Sequence, residues 1–407
     1  MGSVLSACAA SCVCTACCSL AGCACFVSSR VACFTNVAVL VGATFGAMAL
    51  RGNTGTLAIS WLPVCTADTC GGIFGAYRVN FALTGYFTAL CLLTVGTTEF
   101  GAKLHRGWWW AKTILLMALL GATLFVSNES LAMGQEVARF GSIAFLFAQP
   151  LLLISLGHNW NEAWVEADGD EPLSYLSWRA ALLLVSATMY GGSAMGCASL
   201  LRLAACPVGV ALGWATLVLL LGLSGLSMAS RICPHGNLLT SALLSLYATH
   251  LGHSALSAHT DAACSPSDFI SSNFTPALGL AFAVAALGSA GWSGANPAPA
   301  PALLPHGVTR SDATMSQLRT QEVPPPIGAE AAWPFYLVCL ACSLYLWMLT
   351  TDWSTQPAAT SSAEADNAAA FWVLVSAQWA ASGLYAYTLL APYLLRHVRD
   401  FGVTFED

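Results

Sequence analysis

The run "FGSIAFLFAQPLLLISL" (Phe140–Leu156) passes without a break into "GHNWNEAWVE" (Gly157–Glu166). Seventeen uncharged residues are followed by ten that hold two tryptophans, a histidine, two asparagines and two glutamates. A bilayer core of about 30 Å takes roughly 20 apolar residues as helix. The first stretch therefore reads as a helix in lipid, and the second as its exit into the headgroup layer, where tryptophan is at home.

The rest of the chain repeats this pattern. Of 407 residues, 57% are hydrophobic and only 8% are charged. A soluble domain carries about 25% charged residues, so lipid is the solvent these surfaces face. Ten membrane helices are expected, near 31–50, 79–98, 108–126, 141–157, 180–201, 208–230, 238–258, 276–292, 333–351 and 368–395. The eighth is the weakest, being short and rich in Ala and Gly, and a tilted or re-entrant course fits it. The expected fold class is an all-α integral membrane protein, with division into two subdomains, five helices each, left open. The segments are 1–30 (Cys-rich), 31–292 (helices one to eight), 293–332 (a loop with "NPAPAPALLPHG" and "EVPPPIG", extended), 333–395 (the last two helices) and 396–407 (a tail).

Lysines and arginines set the orientation, because cytoplasmic loops carry more of them. Ten of the fourteen fall on one side, including Arg30, Lys103, Arg106 and Arg179. The other side holds Arg51, Arg78, Arg139 and Arg202. Both termini are thus expected in the cytoplasm, in the plasma membrane or an endomembrane. The sequons at Asn128 and Asn273 are glycosylation candidates, and both fall on the exoplasmic side. So do Cys65, Cys70, Cys206 and Cys264, where disulfides persist. Cys65 with Cys70 and Cys206 with Cys264 is one pairing of three.

In "HNWNEAWVE", helical spacing puts His158, Glu162 and Glu166 on one face and Trp160 and Trp164 on another. One reading is an interface anchor with solvated carboxylates. The other is a face, with Asn161, that touches a serine amine or lipid headgroup. Arg78 is read as standing before a helix, either contacting exoplasmic phosphates or anchoring the helix end. Lys112 snorkels. Gln149–Pro150 predicts a kink, and Gln378 an interhelical hydrogen bond. His250 and His253, with His259 and Asp261 downstream, admit a metal or proton-relay reading beside ordinary packing. Gly42/Gly46, Gly192/Gly196 and Gly209/Gly213 have the spacing of close helix contacts. "MGSVLS" fits myristoylation at Gly2, and Cys17 and Cys18, within seven cysteines before residue 26, fit S-acylation. Metal binding and a packed small-residue helix are the rival readings of that segment.

Several stretches together resemble the serine incorporator family. They are "GAYRVNFAL" (Gly75–Leu83), "HNWNEAWVE" (His158–Glu166), "LLTSALLSLYATHLGHSAL" (Leu238–Leu256) with "CSPS" (Cys264–Ser267), "SLYLWMLTTDW" (Ser343–Trp353) and "YAYTLLAPYLLRHVRDF" (Tyr385–Phe401). They occur in order over nearly the whole chain. His250 and His253 depart from it, standing where aromatic residues are expected. The resemblance implies a ten-helix bundle in two subdomains with lipid-accessible grooves. It also implies support of serine incorporation into phosphatidylserine and sphingolipids, or ATP-independent phospholipid scrambling.

No phosphate loop, Gly-x-Ser-x-Gly elbow or His-Glu-x-x-His stands in the sequence. Its two lysines lie in no cofactor setting. No enzyme activity, cofactor, metal or nucleic acid is therefore expected. The expected partners are membrane phospholipids and sphingolipids, with serine-lipid synthesis enzymes and a second copy of the chain left open. A transporter or channel for a small polar solute, and a scaffold for those enzymes, are the alternative functions.

Overall fold

The computed structural model describes residues 27–52, 72–96, 99–170, 178–202, 206–229, 236–259, 269–295, 332–351, 353 and 361–394. The readings at Gly2, Cys17, Cys18, Cys65, Cys70 and Cys264, the side chain of Asn273, most of the Pro-rich loop and the tail lie outside these residues. The described residues form eleven helices and no strand. They are α1 (Ser29–Gly52), α2 (Ile73–Thr94), α3 (Glu99–Arg106), α4 (Trp109–Thr123), α5 (Asn128–Asp170) and α6 (Trp178–Arg202). The others are α7 (Pro207–Met228), α8 (Leu238–Ser257), α9 (Phe269–Ala295), α10 (Trp333–Thr350) and α11 (Ser361–Leu394).

Five of them, α1, α6, α7, α10 and the Asn128–Glu166 part of α5, are long and apolar enough to cross a bilayer; α4 and the Thr275–Gly291 part of α9 are shorter apolar helices. Their outer faces expose Phe45, Phe140, Met195, Val218 and Met228. Apolar exposure on this scale is foreign to a soluble surface. The protein is an all-α, multi-pass membrane protein.

The helices sort into two groups. In one, α10 packs on α2, and α1, α3, α4 and α9 surround them; in the other, α8 is packed by α6, α7 and α11. α5 touches both groups, and α8 also meets α9. Chain order therefore does not divide the fold five and five: α9 and α10 return to the first group.

Two helices differ from expectation. α5 has 43 residues, about 65 Å at 1.5 Å per residue, more than twice the bilayer core. It starts at Asn128 because the apolar run continues upstream as a stripe. Leu131, Gln135, Ala138, Ser142, Phe145, Gln149 and Leu153 are all buried at helical spacing. Pro150 sits inside this one helix. α9, the helix expected to be weakest, is a 27-residue helix that carries Pro276 within it.

Glycines decide the tightest crossings. A Cβ on Gly157 of α5 would lie 3.0 Å from the Thr240 Cα of α8, and one on Gly196 would overlap Thr249 Cγ2. Gly213 likewise faces Leu201 at 3.0 Å. Gly42 and Gly46, in contrast, meet no described atom within 4 Å. Among the described residues their spacing marks no close contact, which corrects that reading.

Candidate functional site

The polar end of α5 is divided by its neighbours. The close approach at Gly157 brings His158 to the start of α8, where Asn237 Nδ2 donates to His158 Nδ1 at 3.0 Å. The same asparagine caps α8, accepting from the Thr240 amide at 2.7 Å. Trp160 meets Trp164 edge to face at 5.4 Å, and Trp164 lies 5.4 Å from Trp178 at the start of α6. Asn161 is half-buried, while Glu162 and Glu166 are exposed. The histidine and tryptophans thus fasten α5 to α8 and α6. The carboxylates share a helix with His158 but not its surroundings.

A second feature lies between α7 and α11. Val208, Leu212 and Ala215 face Phe371, Val375 and Trp379 across a crevice of about 400 Å³, with His259 at its end. His259 packs edge-on against Phe371 at 5.2 Å. Trp372 and Trp379 are more than half exposed on the rim. Directly behind the wall, Gln378 Nε2 donates to Thr216 Oγ1 (2.7 Å) and to the Ala248 carbonyl (3.0 Å). The Gln378 side chain is fully buried, and its Oε1 has no partner among the described residues. The amide passes Gly252 at ordinary contact distance, 3.6 Å from where a Cβ would stand. Sequence reading picked out Gln378 but missed Thr216. A lone threonine in an apolar helix bonds its own backbone, here the Leu212 carbonyl, and gives no signal of its second role.

Arg78 lies inside α2, not before it, and is buried. Its guanidinium donates to the Thr123 carbonyl, to the Val126 carbonyl (3.1 Å) and to Asn128 Oδ1 (2.9 Å). The Thr123 carbonyl, at the end of α4, also accepts from the Val126 amide at 3.2 Å, so the arginine shares it with the turn that follows. The arginine clamps the α4–α5 turn, and the sequon asparagine is one of its ligands. Lys112, expected to snorkel, is buried: its Nζ donates to the His105 carbonyl at 2.9 Å and lies 3.9 Å over the Trp109 ring. His250 and His253 face different neighbours. His253 Nε2 donates to the Gly196 carbonyl and is 3.0 Å from Ser199 Oγ. His250 faces α9 at Gly279 and packs on Phe282. Cys206 is in a disulfide and accepts from the Gly209 amide at the start of α7.

The family model described as serine incorporator (Serinc) matches residues 6–297 and 333–398. The chain belongs to the serine incorporator family. The match skips 298–332, the Pro-rich loop. A probable serine incorporator of Nematostella vectensis is 27% identical over 383 residues, covering 83% of this chain and 82% of the relative. Serine incorporator 5 of Mus musculus is 26% identical over 385 residues, 83% of each chain. Serine incorporator 3 of Bos taurus is 26% identical over 379 residues, covering 80% and 79%. The paired groups of helices, the crevice and the clamped end of α5 are thus features of a serine incorporator.

Proposed function

We propose that this serine incorporator handles phospholipids, moving their headgroups between leaflets without ATP and so supporting serine incorporation into phosphatidylserine and sphingolipids. The observation that carries the reading is the pairing of an apolar crevice with a polar knot. Crevice-lining Ala215 and Trp379 are sequence neighbours of Thr216 and Gln378. Acyl chains stay against the α7–α11 wall, while a headgroup exchanges with the Gln378–Thr216 bond. Interhelical hydrogen bonds in membranes contribute about 0.6 kcal/mol on average, so such an exchange is cheap. Asn161, Glu162 and Glu166 then serve as headgroup contacts at the other end of the route; His158 positions them.

Purified protein in liposomes tests the reading. Fluorescent phospholipid should cross leaflets in its presence, and Gln378→Leu should slow the crossing. Flux of radiolabelled serine without lipid movement would instead make it a solute transporter. Neither activity would leave a scaffold for serine-lipid enzymes.

A further inference from the structure

The neighbours of the Gln378 carboxamide fix which way it points. The Ala248 carbonyl can only accept a hydrogen bond, so the amide nitrogen, not the oxygen, faces it at 3.0 Å. The second Nε2 hydrogen goes to Thr216 Oγ1 at 2.7 Å. Thr216 has no proton to return, because its hydroxyl donates to the Leu212 carbonyl at 2.8 Å. Both hydrogens of the carboxamide are therefore used. Oε1 is left as an acceptor with no donor among the described residues, on a side chain that is wholly buried.

A buried acceptor without a donor is rare and costly, and this one has a telling place. Thr216, Ala248 and Gln378 stand near the midpoints of α7 (Pro207–Met228), α8 (Leu238–Ser257) and α11 (Ser361–Leu394). The knot thus lies toward the middle of the bilayer, where no water supplies a donor. It also adjoins the crevice. Val375 and Gln378 share a face of α11 at i, i+3, and Leu212 and Thr216 share a face of α7 at i, i+4. Val375 and Leu212 both line the crevice.

We infer that, on the headgroup route proposed above, Gln378 Oε1 is the specificity-determining contact and takes a phospholipid whose headgroup ammonium still carries an N–H. The ammonium of an ethanolamine or serine headgroup donates to Oε1 without breaking either bond that Nε2 makes. A choline headgroup carries the same positive charge but no N–H. It leaves Oε1 unpaired and brings methyl groups against the carboxamide. Charge does not separate ethanolamine from choline phospholipids, since both are zwitterionic; the donor does. A site with a buried polar group rejects the analogue that cannot pair with it. Hydrogen bonds to charged groups are strong enough to discriminate about tenfold or more.

The test places the full chain in liposomes with photo-crosslinkable phospholipids of identical acyl chains. Their headgroups run from ethanolamine through N-methyl- and N,N-dimethylethanolamine to choline, and crosslinks to α7 and α11 are mapped by mass spectrometry. The headgroups that keep at least one N–H should label the crevice alike, and choline should fall about tenfold below them. Gln378→Met, close in size but without the carboxamide, should bring the whole series to one level. Thr216→Val removes a partner of Nε2 yet leaves Oε1, so the drop at the last methyl should persist. A smooth decline along the series, equal labelling in the parent, or an unchanged drop in Gln378→Met overturns the assignment. Translocation is read in the same liposomes. A drop at the last methyl without translocation of any lipid would refute the headgroup route and leave the contact as a binding site. Translocation with equal labelling would do the reverse.

Discussion

Replacing Arg78 separates two roles that the sequence left open. Its guanidinium makes three hydrogen bonds among the described residues, to Thr123, Val126 and Asn128. Hydrogen bonds to charged groups contribute about 1.5–3 kcal/mol each, so three bound the loss at about 4–9 kcal/mol. Asn128 and Val126 are half-exposed and regain water or headgroup contacts once released. Arg78→Met should therefore cost about 3–4 kcal/mol. For a chain of this length that is on the order of 3–5 °C of melting temperature, taking the per-residue unfolding entropy of soluble proteins. Arg78→Lys keeps a charge but not the fork that reaches three acceptors, and should fall between. Asn128→Ala alone should cost about 1 kcal/mol, and with Arg78→Met should show coupling in a double-mutant cycle. The assay is intrinsic-fluorescence melting in detergent, with lipid translocation measured in parallel. A parental melting temperature in Arg78→Met, together with lost translocation, would refute the clamp and restore a phosphate-contacting arginine.

Gly157→Val should destabilise by about 1–3 kcal/mol through overpacking, because its side chain meets the Thr240 backbone. Gly42→Ala, with open space around it, should be neutral or gain up to about 1 kcal/mol of helix preference; melting temperatures of both check this. His250→Leu should hold or raise the melting temperature. Neither ring nitrogen has a partner among the described residues, and an unpaired buried polar group costs about 1–3 kcal/mol; a fall of several degrees would reveal a partner. The lowered pKa of His105 means that the unfolded chain binds its proton first. Its contribution is full above about pH 6.5 and is lost as pH falls through about 4. The loss is up to about 3 kcal/mol, and His105→Phe should flatten melting temperature against pH across that window.

Lipid as solvent was legible from composition, and the helix cores from runs such as Phe140–Leu156. What escaped has a common physical cause: runs of apolar residues report contact with lipid, not contact with protein. α8 shows this best. Nearly everything from Leu239 to Leu256 is buried, polar residues included, so its serines, threonines and histidines serve packing and pairing. The upstream half of α5 was missed because its apolar residues form only a stripe. Arg78 was misplaced because a buried arginine bound to carbonyls looks, in sequence, like a charge at a helix end. The small-residue spacing told the same story twice correctly and once not. Gly192/Gly196 and Gly209/Gly213 face neighbours, while Gly42 and Gly46 face none among the described residues, and spacing alone carries no information about which helix stands opposite.

Within the site, the distribution of hydrogen bonds separates what must stay fixed from what can yield. The Arg78 clamp, the Asn237 cap and the close crossing of Gly157 on Thr240 each join helices through groups that are charged, at helix ends, or in backbone contact. The Gln378–Thr216 contact is different. It is a neutral pair beside an apolar crevice, and Thr216 keeps its bond to the Leu212 carbonyl when the pair opens. Opening it leaves one amide hydrogen to satisfy, and in the proposed function a passing phosphate or serine headgroup would supply that acceptor. In bare lipid the same headgroup would find no partner at all, at a cost of several kcal/mol per polar group. On the proposed function, a weak, replaceable bond at the wall of the crevice would lower that barrier without opening a pore between α7 and α11.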